Sequence, residues 1–261
     1  MTFFDALILS FVEGITEFLP ISSTGHMILT SSLLGIQAES FVKTFEVAIQ
    51  LGAVLAIVAL YARTLVRGIL IYKKLFVAFV PAGVLGFLFH DVIKTYLFSP
   101  EVVAWALIGG GVVLLFVDRW FEKREQSRSA HESADLEKVS YRSVFWIGVF
   151  QCLALIPGVS RAGATIVGGM VRGLSRAKAT EFSFLLALPT MVVATGFDLL
   201  KTSADFSLRE YELLALGILG AFVSAFFAVR FFLRFVERRG FALFGWYRIV
   251  VGVVVLVVAV Y

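Results

Sequence analysis

Charge is what this 261-residue chain has least of. Only 16% of its residues are Asp, Glu, Lys or Arg, 59% are hydrophobic, and the mean hydropathy is +0.92. A soluble domain carries about 25% charge and about 45–50% apolar residues, so a water-soluble globule is excluded. The single cysteine, Cys152, excludes an intramolecular disulfide and reads as a small buried apolar residue. No basic segment precedes the apolar N-terminus, and Asp5, Glu13 and Glu17 interrupt it. It is therefore expected to be a retained part of the fold and not a cleaved signal peptide. The net charge of +4 is modest, and no nucleic-acid partner is expected.

Apolar runs recur along the whole length, which makes the chain an all-α polytopic membrane protein. The first segment, 3–35, is broken by Gly14, Pro20 and Gly35 into two pieces, each short of the ~20 residues a spanning helix needs. Two short helices around a polar turn predict a re-entrant hairpin, which is tolerated at membrane depth only under cover of protein or a watery cavity. Spans are expected at 41–62, 75–93 and 100–117, with Gly52, Gly83, Gly86 and Gly109 to Gly111 permitting close packing. Residues 121–140 form the one long polar segment, a solvated connection that includes His131.

The pattern then repeats. A second hairpin at 141–174 turns at Pro157-Gly158, and spans are expected at 178–200, 211–229 and 243–260. Glu13, Ser22 and Gly25 shifted by 138 fall on Gln151, Ser160 and Gly163; Phe45, Leu51 and Gly83 shifted by 137 fall on Phe182, Leu188 and Gly220. The expected architecture is thus two inverted-topology repeats, 1–120 and 141–261, each a re-entrant helix hairpin plus three transmembrane helices. An odd number of crossings inverts the second half and puts a site near the midplane, where the broken helices meet. With both termini outside, 17 of the 23 Lys and Arg fall in inside loops and four outside, leaving Arg161 and Arg248 at membrane depth.

The polar residues concentrate in two stretches. Phe11 to His26 reads FVEGITEFLPISSTGH, and Phe150 to Thr165 reads FQCLALIPGVSRAGAT. Glu13 and Glu17 share a helix face at i, i+4. Two such carboxylates in hydrocarbon need a cation or a proton, and a hard divalent ion suits their oxygens. Ser22, Ser23 and Thr24 open the next helix, where hydroxyls serve as caps and free N–H groups attract an anion. Ser23 and His26, at i, i+3, place an imidazole near a hydroxyl for proton transfer. Ser160 and Arg161 open the matching helix of the second hairpin, and Thr165 is spaced to turn toward the same cavity. A guanidinium fork matches phosphate oxygens, although a structural pair of Arg161 with Glu13 or Glu17 is the competing reading. Two positive helix ends, an arginine and a carboxylate pair suit a diphosphate. Glu46, Gln50 and Glu181 are secondary candidates for lining the cavity. His90-Asp91 reads as structural, and Arg248 as a snorkelling or paired cation.

At these residues the chain resembles the undecaprenyl-diphosphatase family, also called bacitracin-resistance proteins. The motif Glu/Gln-x-x-x-Glu followed by Pro-x-Ser-Ser-Thr-Gly-His stands as Glu13, Glu17, Pro20, Ser22, Ser23, Thr24, Gly25 and His26. The motif Pro-Gly-x-Ser-Arg-Ser-Gly-x-Thr stands as Pro157, Gly158, Ser160, Arg161, Gly163 and Thr165, with Ala162 replacing the usual serine. The resemblance implies hydrolysis of undecaprenyl diphosphate to the monophosphate and inorganic phosphate. That reaction recycles the lipid carrier of cell-wall synthesis at the outer side of the bacterial cytoplasmic membrane. It also implies a divalent cation, which the carboxylate pair Glu13 and Glu17 is expected to hold as Mg²⁺ or Ca²⁺. Ser23, His26, Glu17 and Arg161 are the expected catalytic residues; Ser22, Thr24, Ser160, Arg161 and Thr165 would bind phosphate. The expected scheme has Ser23 attack with His26 as acid and base; water or His26 as nucleophile stays open. Expected partners are the polyprenyl diphosphate lipid and membrane lipids, with a homodimer left open. The rival reading from another class is a transporter or flippase of polyprenyl phosphate lipids, since inverted repeats with broken helices are also carrier architecture.

Overall fold

Four helices, each too short to cross a bilayer, stand in two consecutive pairs. They are α1 (Phe3–Thr16), α2 (Ser23–Leu33), α7 (Tyr141–Gln151) and α8 (Arg161–Val171). The longest, at 14 residues, reaches about 21 Å, against a hydrocarbon core of about 30 Å. In the segments 3–35 and 141–174, where hairpins are expected, α1 contacts α2 and α7 contacts α8. The computed structural model describes residues 1–66, 68–97, 99–125, 136–201 and 206–260. Among these residues there are eleven α-helices and no strand.

Five helices are long and apolar enough to cross a membrane: α3 (Ser40–Val66), α4 (Ile69–Leu88), α6 (Pro100–Glu125), α9 (Arg176–Lys201) and α10 (Leu208–Arg239). The last helix, α11 (Ala242–Val260), has 19 residues. Large side chains such as Phe76, Trp105, Phe116 and Phe231 lie exposed on these helices, as lipid-facing residues do. The chain is a multi-pass membrane protein.

Helix limits differ from expectation where charged residues are accommodated. The span expected at 75–93 starts six residues earlier, because Lys74 is buried and its Nζ donates to the Leu136 carbonyl at 3.1 Å. It breaks at Phe89 (φ −109°, ψ 13°), and α5 (His90–Tyr96) follows as a separate short helix. Helix α10 continues ten residues past the expected end through a run of arginines and stops at Gly240, whose φ of +67° suits glycine. The middle of the expected 121–140 connection, with Arg128 and His131, lies outside the described residues, as does Arg67.

Packing sets the first helix of each pair against a long helix. Helix α1 lies on α10 and α7 lies on α4, while α3 packs on α9 and α6 on α11. Glycine makes both hairpin contacts close: a Cβ on Gly14 would collide with Ser224 and the α10 backbone, and one on Gly148 with the Ala78 carbonyl of α4. Gly52, Gly110 and Gly111 also meet neighbouring helices, whereas Gly109 faces open space. Arg248 neither snorkels nor pairs with a carboxylate. It is 1% exposed and bonds backbone carbonyls of both hairpin turns.

Candidate active site

Each hairpin turn ends on a serine in an unusual conformation. Ser22 (φ 68°) and Ser160 (φ 74°) are the non-glycine residues with positive φ among the described residues, and each sits at the N-cap of the second short helix. Such backbone costs about 1–3 kcal/mol and persists only where its surroundings enforce it. The Ser160 side chain accepts from the Gly163 amide at 3.1 Å and so caps α8. Ser22 makes no side-chain cap, which leaves the first turn of α2 with amides free for an anion. The turns touch: Ser160 Oγ donates to the Leu19 carbonyl at 3.5 Å.

Between them lies a cavity of about 380 Å³ whose polar floor is Glu17, Ser22, Ser23, Thr24, Ser160 and Arg161. Three of these residues are bonded to one another. Ser23 Oγ donates to Glu17 Oε2 at 2.5 Å, and Arg161 Nη2 donates to Glu17 Oε1 at 3.0 Å. The Arg161 fork is held further by the Ser183 carbonyl, which accepts from Nη1 at 2.9 Å, and by the Phe18 ring, 5.4 Å away. Its Nε is buried without a hydrogen-bond partner. The competing reading of a structural pair is thus met in part: Arg161 does pair with Glu17, and it does so on the cavity floor with a donor to spare.

Glu13 lies behind this floor. It is 1% exposed, and neither carboxylate oxygen has a hydrogen-bond partner. Leaving a buried carboxylate unsatisfied is costly, so an orphaned pair of oxygens next to Glu17 fits a cation. Glu13 and Glu17 are the residues that would hold it. No group of three or more His, Cys, Asp or Glu suited to a metal occurs among the described residues, so protein ligands alone would not complete such a shell.

Two expected site residues stand elsewhere. His26 turns away from Ser23: its Nδ1 meets the Ser22 carbonyl at 2.8 Å and its Nε2 meets the Tyr247 hydroxyl at 2.7 Å, with the two rings stacked 5.5 Å apart. A carbonyl only accepts, so Nδ1 carries the proton and Nε2 accepts from Tyr247 in the neutral ring. Both nitrogens are thereby engaged, Nδ1 with the Ser22 turn and Nε2 with Tyr247, and neither is bonded to Ser23. Thr165 is buried behind Arg161, where its hydroxyl meets the Arg161 carbonyl at 2.8 Å and the Ser183 hydroxyl at 2.6 Å. It steadies the segment that holds Arg161 and does not line the cavity. Tyr247→Phe tests the assignment of His26. It is expected to lower stability by about 1 kcal/mol and to change turnover less than threefold, read by thermal unfolding and by phosphate release.

A family model described as "Bacitracin resistance protein BacA" matches residues 6–254. The chain belongs to this family. It is 50% identical to the undecaprenyl-diphosphatase of Wolinella succinogenes over 256 residues, 98% of each chain. It is 47% identical to that of Aquifex aeolicus over 255 residues, 97% of each, and 48% identical to that of Persephonella marina over 256 residues, 98% of each.

The position at which this BacA family member carries Ala162 faces the core and is 0% exposed, so the missing hydroxyl leaves no gap in the cavity. Several cavity residues are not marked by either motif. Gln151 lines the wall, accepts from Thr190 Oγ1 at 3.2 Å, and has its Nε2 buried without a partner. Its only sequence signal is its place opposite Glu13 in the repeat. Gln50 lines the cavity as expected, while Glu46 and Glu181 do not, and Glu181 pairs with Lys178 at 2.9 Å. Above the floor the wall turns apolar with Phe79, Phe87, Leu155 and Met191. It ends at a rim where His90 Nε2 meets Asp198 Oδ1 at 3.2 Å. His90 therefore belongs to the cavity mouth, although it reads as structural in the sequence.

Proposed function

We propose that the protein hydrolyses undecaprenyl diphosphate to undecaprenyl phosphate and inorganic phosphate in the bacterial cytoplasmic membrane. One observation carries the reading. A membrane-buried cavity has an arginine, a carboxylate-bonded serine and an uncapped helix N-terminus at its floor, and apolar walls above. The floor suits a diphosphate. The walls suit the first prenyl units, and a cavity of about 380 Å³ leaves the rest of the chain in lipid. Relatives of the same length carry the name of this activity.

In the proposed reaction the substrate's terminal phosphate lies across the N-terminus of α2, with its oxygens on the Arg161 fork. Ser23 Oγ attacks the terminal phosphorus as Glu17 Oε2 takes its proton. The anhydride P–O bond breaks, and undecaprenyl phosphate leaves. Water then attacks the phosphoserine, the Oγ–P bond breaks as Glu17 returns its proton to Oγ, and phosphate departs with the water's oxygen and protons. Positioning and charge stabilisation by Arg161 and the helix amides carry most of the catalysis, as is general for phosphoryl transfer. A divalent cation held by Glu13 and Glu17 would neutralise phosphate charge when bound. Glu13→Gln is accordingly expected to raise the Mg²⁺ concentration for half-maximal phosphate release at least tenfold, a shift read directly from a metal titration.

The two halves form inverted repeats, supported by the paired contacts of α1 with α10 and α7 with α4, and by the matching Ser22 and Ser160 backbones. Both termini lie outside, supported by the excess of Lys and Arg in the opposite loops. The His90–Asp198 rim then opens the cavity outward. Every floor residue comes from one chain, so a homodimer is not needed to complete the site.

Purified protein in detergent tests the activity, because detergent leaves no second compartment. Phosphate release from undecaprenyl diphosphate supports hydrolysis; binding without release would favour a carrier.

A further inference from the structure

Arg248 is among the largest fully buried side chains of the protein, and no step of the reaction uses it. Its guanidinium donates to five backbone carbonyls. Nη1 reaches Pro20 at 3.0 Å and Val159 at 2.9 Å; Nη2 reaches Gly158 and Ala106, each at 3.0 Å; Nε reaches Leu107 at 3.3 Å. A guanidinium has five N–H donors, so the fork is saturated. Three of the acceptors belong to the two hairpin turns, and two belong to α6.

Glycine makes the seat. A Cβ on Gly110 would overlap the guanidinium, and one on Gly163 would lie 3.3 Å from Nη1. Gly111, whose added Cβ would stand 3.2 Å from that of Arg248, precedes Arg248 by 137 residues, the offset that relates the two halves. One half supplies the arginine where the other leaves room for it.

We infer that Arg248 is a positioning residue for the headgroup site. It locks the two turns in register, so that α2 and α8 present their N-termini to the same phosphates. The carbonyls it holds lie two residues before Ser22 and immediately before Ser160, the two positions of strained backbone. Strain of that kind needs enforcement from outside the turn, and the fork supplies it to both turns at once. A buried cation with carbonyl partners also adds positive potential behind the helix ends. The inference rests on the phosphatase reading only in identifying the headgroup as a diphosphate.

Calorimetric binding to the purified full-length protein tests it with two probes. Inorganic pyrophosphate takes the floor alone, and a polyprenyl alcohol takes the apolar wall alone. Gly110→Ala displaces the fork without touching the floor; Arg248→Met removes it; Arg248→Lys keeps the charge. Pyrophosphate affinity is expected to fall at least tenfold in the first two and less in Arg248→Lys, with alcohol affinity within twofold throughout. A dissociation constant does not depend on the fraction of protein that is folded, so partial misfolding cannot mimic this pattern. Unchanged pyrophosphate affinity in Gly110→Ala and Arg248→Met overturns the inference, as does parallel loss of both probes. Wild type that binds pyrophosphate yet releases no phosphate from lipid would remove the activity while leaving the clamp intact.

Discussion

Arg161→Ala is expected to lower turnover of undecaprenyl diphosphate by at least about a thousandfold. The loss has two sources. Arg161 is the arginine that lines the cavity among the described residues, and removing a single preorganised donor to developing charge costs about 10²–10³ in rate; a charge-assisted, bidentate contact costs more. The second source is the pair itself. Arg161 and Glu17 have side chains only 11% and 8% exposed, and breaking a buried pair costs about 3–5 kcal/mol because the remaining charge is stranded. Glu17 on the floor and Glu13 behind it would then lose the guanidinium that faces them, and the carboxylate that holds Ser23 would lose its orientation. Arg161→Lys separates the two sources. It keeps a charge near Glu17 but loses the fork, so it should retain stability and recover only part of the rate. Turnover measured beside the thermal midpoint of each variant checks both statements.

Ser23→Ala carries the second large effect, a fall of at least about a thousandfold that reflects loss of the nucleophile. Alanine fits the first turn of α2 without strain, since the backbone strain resides at Ser22. The protein should therefore fold normally and bind pyrophosphate close to wild-type affinity. Glu17→Gln should fall nearly as far, because the amide cannot take the Ser23 proton. The contrast with Tyr247→Phe is the informative part: one hydroxyl on the cavity floor matters greatly, and another against His26 matters little. Turnover of Ser23→Ala within tenfold of wild type would return the attack to water.

The fold was legible because its signals are local. Short apolar pieces punctuated by Gly and Pro marked the short helices α1, α2, α7 and α8. The motifs also brought Glu17, Ser22, Ser23, Thr24, Ser160 and Arg161 to one cavity, since helix starts place their residues by rule. Contacts that depend on rotamer and distant partners were not legible. His26 shares a helix face with Ser23, yet its ring rotates to Tyr247, 221 residues away. Thr165 has the spacing to enter the cavity but bonds Ser183 behind it. Arg248 looked like a cation in search of an acid because backbone carbonyls carry no mark in a sequence. Lys74 misplaced a helix start for the same reason.

The most direct measurement of the central claim, a reaction centre of Glu17, Ser23 and Arg161, is to quench the purified protein during turnover of undecaprenyl diphosphate and locate the phosphoryl group by peptide mass. Phosphate is expected on the peptide containing Ser23 and absent from Ser23→Ala. Phosphate on His26, or turnover by Ser23→Ala at the wild-type rate with no phosphoenzyme, would contradict it.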